Sequence, residues 1–116
     1  MAVLNITAPI LEGKFDAWKE FHDSLKPGGE NHENWKNQMQ RTGITRQVVS
    51  LQRTPMGDFV NVFFEGDDPA ALMKTVGSSD NEFDKKFAAW VMEVHGIDVS
   101  EPPPGPMSEV VLDYTA

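Results

Sequence analysis

Three histidines, three tryptophans and no cysteine set the chemistry open to this chain. Without thiols there are no disulfides, thiolate metal sites or cysteine nucleophiles. His22 shares an i, i+3, i+7, i+10 stripe with Phe15, Trp18 and Leu25, so it points from a helix toward the layer that helix packs on. An imidazole titrating near neutrality there suits proton abstraction from an activated carbon. The plainer role is a half-buried histidine donating to a backbone carbonyl or a nearby acid. His95 ends a helix just before Gly96, where the helix dipole favours imidazolium and a capping role suffices. His32, among Glu30, Asn31, Glu33 and Asn34, is expected to be solvated.

Arg46 and Glu65 fall opposite one another in a hairpin, where the pair can hold a substrate carboxylate or enolate with the arginine as a fork-shaped donor. The competing reading is a strand-edge ion pair worth about 0–1 kcal/mol. Arg41 and Arg53 are further candidate anion donors. Asn61 and Ser50 are candidate substrate-orienting groups on the same hairpin. Trp18, Trp35 and Trp90 all fit apolar helix faces, but the helix of Trp35 is otherwise polar, so its ring is expected to close over a cavity as part of a lid. Neither metal nor cofactor is expected. His22 and Glu20 share no helix face, and His32-Glu33 lacks a third ligand. Pro27-Gly28-Gly29 follows a helix instead of opening one after a strand, so it is no phosphate loop.

The elements that position these groups must fit into 116 residues, enough for one domain with one core, residues 1–116. A net charge of −8 repels a phosphate backbone and an anionic membrane surface, so neither nucleic acid nor membrane is an expected partner. The first ten residues carry neither a basic segment nor a long apolar run, and a cytoplasmic location is expected.

Val3 to Ala8 reads as a strand ended by Pro9 and Gly13, and the period then changes to that of the His22 helix, stopped by Pro27-Gly28-Gly29. A polar helix from about Asn31 to Thr42 follows. Residues 44–53 and 59–65 are strands joined through Thr54-Pro55-Met56-Gly57-Asp58. Asp68 is expected to cap a short helix from Ala70 to Val76, with Pro69 at its first position. Asp80 is expected to cap a longer one over about Asn81 to His95, with Phe83, Phe87, Trp90 and Val94 on its apolar face. The proline-rich run 101–106 excludes helix and central strand, and Met107 to Tyr114 is expected to close the chain as a strand. The resulting order, β–α–(α)–β–β–α–α–β, is that of an α+β, ferredoxin-like split βαβ fold with a four-stranded antiparallel sheet and an extra helix. An unrelated α+β sandwich of the same order is the alternative.

Pairing Gln52 with Phe59 sets the hairpin register and places Leu51, Val49 and Gln47 opposite Val60, Val62 and Phe64 on one face. The other face pairs Ser50 with Asn61, Val48 with Phe63 and Arg46 with Glu65. Helices cover only one face of a two-layer fold, so apolar residues on the second face imply a homodimer. Which face meets the helices is left open, and the mixed face can equally line a cavity between sheet and helices.

Gly13-Lys14, Leu51-Gln52-Arg53-Thr54-Pro55-Met56-Gly57-Asp58, Glu65-Gly66-Asp67-Asp68-Pro69, and His95-Gly96-Ile97-Asp98 followed by the proline run resemble a small bacterial family of the dimeric α+β barrel superfamily. The likeness covers nearly the whole chain. The superfamily includes antibiotic-biosynthesis monooxygenases, stress-responsive barrel proteins, polyketide cyclases, muconolactone isomerase-like enzymes and haem-handling members. The resemblance implies a dimeric barrel and, for the cofactor-independent monooxygenases, a site built from Asn, Trp and His or aromatic groups, for which Asn61, Trp35 and His22 are the matching types. The expected function is cofactor-independent proton transfer, cyclisation or oxygenation of a hydrophobic or aromatic small molecule. His22 would be the base, Asn61 and Ser50 would orient the substrate, Arg46 with Glu65 would hold an oxyanion, and Trp35 would exclude water. The alternative is a non-catalytic small-molecule-binding or stress-associated protein of the same fold.

Overall fold

The computed structural model describes residues 1–102, 105 and 107–116; Pro103, Pro104 and Pro106 of the proline-rich run lie outside the described residues. The chain forms β1 (Ala2–Pro9), α1 (Phe15–Leu25), α2 (His32–Arg41), β2 (Ile44–Thr54), β3 (Gly57–Gly66), a 3-10 turn (Pro69–Ala71), α3 (Leu72–Gly77) and α4 (Glu82–His95). It is an α+β fold with an antiparallel sheet of order β1-β3-β2.

Side-chain alternation explains the sheet. β2 and β3 pair in the expected register, Gln52 with Phe59 through Gln47 with Phe64, shifting only between Ile44 and Arg46. Their connection is tighter than the sequence suggests, because pairing continues to Thr54 and Gly57. The Thr54 hydroxyl accepts from the Met56 amide at 3.1 Å and donates to the Gly57 carbonyl at 2.8 Å. Gly57 takes φ +126°, a value that side-chain-bearing residues rarely adopt. β1 pairs along the other side of β3, Leu4 with Phe64, Ile6 with Val62 and Ala8 with Val60.

The face shared by Leu4, Ile6, Ala8, Val49, Val60, Val62 and Phe64 meets the helices. One core cluster brings Trp18, Phe21 and Leu25 of α1 against Phe83, Trp90, Val91 and Val94 of α4, with Phe21 and Trp90 ring centroids 4.4 Å apart. A second joins Leu72 and Val76 of α3 to Leu4, Ile44 and Phe64. The backbone of Val99 lies so close to Gly77 that a Cβ there would overlap the Val99 carbonyl, which seats the segment after α4 against α3.

Three local expectations are corrected. Asn81, not Asp80, caps α4, its Oδ1 accepting from the Phe83 and Asp84 amides at 2.9 and 3.2 Å. Asp68 makes no side-chain cap bond; Pro69 starts a 3-10 turn whose tighter winding precedes α3. Among the described residues the sheet has three strands, and residues 107–116 pair with none of them, so the strand expected over Met107 to Tyr114 is not formed in the single chain. No described helix is long and apolar enough to cross a membrane.

Candidate functional site

The apolar face of the sheet and the helix layer do not close completely on each other. Between them lies a partly open cavity of about 1460 Å³, floored by Ile6, Ala8, Val49, Val60 and Val62. Phe15, Trp18 and His22 of α1, Trp35 of α2, and Phe87, Trp90 and His95 of α4 form its walls. An amphipathic helix with several aromatic residues on its inward stripe cannot pack flush on a flat β surface, so the ring edges hold the layers apart.

His22 occupies the wall that its position on the α1 stripe implies. Its ring stacks on Trp18 with centroids 4.6 Å apart and lies 5.2 Å from Trp90. Burial lowers its pKa to about 4; the Trp18 carbonyl one turn back opposes this without a well-aligned bond, and the charges of His95 and Lys26 add to the lowering. The imidazole is therefore neutral at pH 7. Its Nδ1 and the neighbouring Trp18 Nε1 are both buried and have no hydrogen-bond partner among the described residues. An unpaired buried polar atom costs about 1–3 kcal/mol.

His95 meets the Trp90 ring edge-on, with centroids 5.6 Å apart. Its Nδ1 is 2.7 Å from the Pro9 carbonyl. A carbonyl only accepts, so Nδ1 carries the proton and, in the neutral ring, Nε2 keeps the lone pair. Burial lowers the His95 pKa, partly opposed by that hydrogen bond. The sequence makes capping the first role of His95 and catalysis the second; the structure makes it a second wall histidine. Its position after the α4 stripe gave no sign of this, because the contact comes from the end of β1.

Trp35 lines the cavity from α2, with Nε1 donating to Gln47 Oε1 at 3.1 Å. Gln47 was missed, although its register opposite Phe64 marks it as the polar residue on an apolar face. At the rim, Asp23 accepts from Lys19 at 2.7 Å and Lys26 at 2.8 Å, and these bonds pull its carboxyl down to about 2.

The remaining candidates are not brought to this cavity. Asn61, Ser50, Arg46 and Glu65 project from the opposite sheet face, because each alternates with a cavity-floor or core residue on its strand. The mixed face therefore does not line the space between sheet and helices. Asn61 accepts from the Thr7 hydroxyl at 3.0 Å and donates to Gln52 Oε1 at 3.0 Å. Arg46 lies 5.8 Å from the Phe63 ring and, among the described residues, makes no ion pair with its register partner Glu65. Arg53 sits 4.1 Å over the Phe15 ring. His32 is not solvated: Nδ1 donates to the Leu25 carbonyl at 2.7 Å, tying α2 to the end of α1.

Arg41 is committed to architecture. Its Nη1 and Nη2 donate to the fully buried Asp84 carboxylate at 2.9 and 3.0 Å, and buried Gln38 Nε2 adds a third bond at 3.0 Å. Burial pushes the Asp84 carboxyl up, but the bonds from Arg41, Ser79 and Gln38 outweigh it and hold the group below its ordinary range. Among the described residues no three histidine, aspartate or glutamate side chains cluster as metal ligands. No model of a known protein family matches this chain, and no curated protein matches it.

Proposed function

We propose that this protein binds a hydrophobic, partly aromatic small molecule in the cavity between sheet and helices. The carrying observation is the cavity itself: three tryptophans and three phenylalanines around a mostly aliphatic floor offer large stacking surfaces in a predominantly apolar space, the composition of a small-molecule site. In this reading Trp35, hydrogen-bonded to Gln47, covers the ligand from α2, and the neutral imidazoles of His22 and His95 supply polar contacts.

A second reading, cofactor-independent proton transfer, is favoured by the His95 Nδ1–Pro9 bond. A histidine oriented through one nitrogen presents the other as a base, and an enolisable substrate would be its own electron sink. Burial weakens both imidazoles as bases, which is why binding is the leading reading. Asn61, Ser50, Arg46 and Glu65 take no part in either reading within one chain.

The fold reading that accompanies this is a ferredoxin-like unit of the dimeric α+β barrel type, in which a second copy covers the outer sheet face. Val48, 38% exposed, and the half-buried Phe59 and Phe63 on that face support it.

Native mass spectrometry of the purified chain tests the binding reading. A retained small molecule, lost in Val62→Trp, which fills the cavity floor, is the expected result. A chain that carries nothing and whose tryptophan fluorescence is unmoved by a neutral aromatic probe such as naphthol would refute it. Exchange of an acidic carbon-bound proton of the retained ligand, lost in His95→Phe, would select the catalytic reading.

A further inference from the structure

We infer that the cavity selects an uncharged ligand that donates a hydrogen bond, taken by Nε2 of His95, and rejects carboxylates of the same shape. The inference rests on the binding reading above and deepens it by naming the polar group of the ligand.

The polarity of the wall follows from how its histidines are already engaged. His95 Nδ1 donates to the Pro9 carbonyl at 2.7 Å, so the neutral ring carries its lone pair on Nε2. That nitrogen has no hydrogen-bond partner among the described residues, and the ring lines the cavity beside Trp90. His22 repeats the arrangement less strictly. Its enclosed Nδ1 lies near the Trp18 carbonyl without a well-aligned bond, which leaves Nε2 as the nitrogen open to a ligand. Burial lowers the pKa of both rings and keeps them neutral, so in this tautomer each offers an acceptor.

Cations stay at the rim. Among the described residues the cavity is lined by Lys19, Lys26 and Lys74 and by no arginine. Lys19 and Lys26 are 60% and 70% exposed, and both bind Asp23. Lys74 is exposed, as are Asp98 and Glu101 on the same rim. A carboxylate drawn inward would leave water with no cation to replace it, and an unpaired buried charge is costly. The net charge of −8 adds long-range repulsion. Gln47 does not alter this selection. Its Oε1 takes the Trp35 Nε1–H, so it keeps only neutral amide donors, which serve a hydroxyl or an ether oxygen alike.

Calorimetric titration of the full chain at pH 7 with naphthol, methoxynaphthalene and naphthoate, all substituted at the same carbon, tests this. The first donates a hydrogen bond, the second only accepts and the third is charged. Naphthol should bind roughly tenfold more tightly than the ether and on the order of a hundredfold more tightly than naphthoate. An ether or a naphthoate that matches naphthol overturns the inference and leaves the binding reading standing. Failure of all three to bind overturns the binding reading and the inference with it. His95→Phe keeps a ring in the wall and removes the acceptor, so the preference for naphthol over the ether should fall to about twofold or less. An undiminished preference in a variant with the wild-type circular dichroism spectrum overturns the role of His95. Nitrogen NMR of the wild type decides without any variant. The His95 Nε2 resonance should shift with naphthol and not with the ether, and an unmoved resonance under saturating naphthol would overturn the assignment.

Discussion

A buried carboxylate and a half-buried imidazole on the helix layer have opposite surroundings. Asp84 on α4 is fully enclosed, and its carboxylate is met by two Arg41 nitrogens and one Gln38 nitrogen at 2.9–3.0 Å. His22 on α1 borders a cavity, stacks on an indole and leaves Nδ1 without a partner. The first is satisfied and joins two helices. The second is neutral, under-satisfied and next to empty space. Polar satisfaction thus separates architecture from candidate site more sharply than residue type does, since an arginine–aspartate pair and a histidine are equally plausible as chemistry on paper.

The strongest way to break this contrast is to remove the partner from Asp84. Arg41→Met leaves a buried carboxylate short of its main donor, and a loss of about 3–5 kcal/mol is expected. Calorimetry should show this as a fall in melting temperature of roughly 10–20 °C. A fall of only a degree or two would show that the pair does not hold α2 on α4.

His22 should reveal itself through pH. Its folded pKa, lowered to about 4, lies below the unfolded value near 6.5, so the unfolded chain binds the proton first. Its contribution is complete above pH 6.5 and is lost as pH falls toward 4. His22→Phe should therefore recover about 2–3 kcal/mol at pH 4.5 relative to its effect at pH 7. Urea unfolding of both proteins at the two pH values measures the difference; parallel curves would place His22 in contact with water.

Trp35 lies between these extremes, with one hydrogen bond and one face on the cavity. Trp35→Phe should cost about 1 kcal/mol in stability and weaken binding of a naphthol probe several-fold by fluorescence titration. Equal affinity would mean that α2 does not cover the site. The smallest effect is expected on the outer face. Thr7→Val removes the exposed bond to Asn61 and should change stability by less than about 0.5 kcal/mol in the same urea assay.

Legibility in the sequence follows the range of the interactions. The pairing of Gln47 through Gln52 with Phe59 through Phe64 was readable because alternation and a short connection leave one register that keeps apolar residues together. The inward position of His22 was readable because Phe15, Trp18 and Leu25 surround it at helical spacing. His95 was not, since its partner is the carbonyl of Pro9, which no local pattern links to it. Arg41 was equally opaque: nothing near it in sequence announces Asp84, and the polar character of α2 reads as a solvated surface until Gln38 is seen buried against α4.

By itself, then, the sequence determined the helices, the hairpin and the two faces of the sheet, because periodicity and turn chemistry act over a few residues. Tertiary structure alone decided which face the helices cover, and so which candidates share a cavity. It also left residues 107–116 outside the sheet of the single chain. Both outcomes depend on contacts between segments far apart in the chain, where one-residue alternation permits either side and only the packing of Trp18, Phe21 and Trp90 chooses between them.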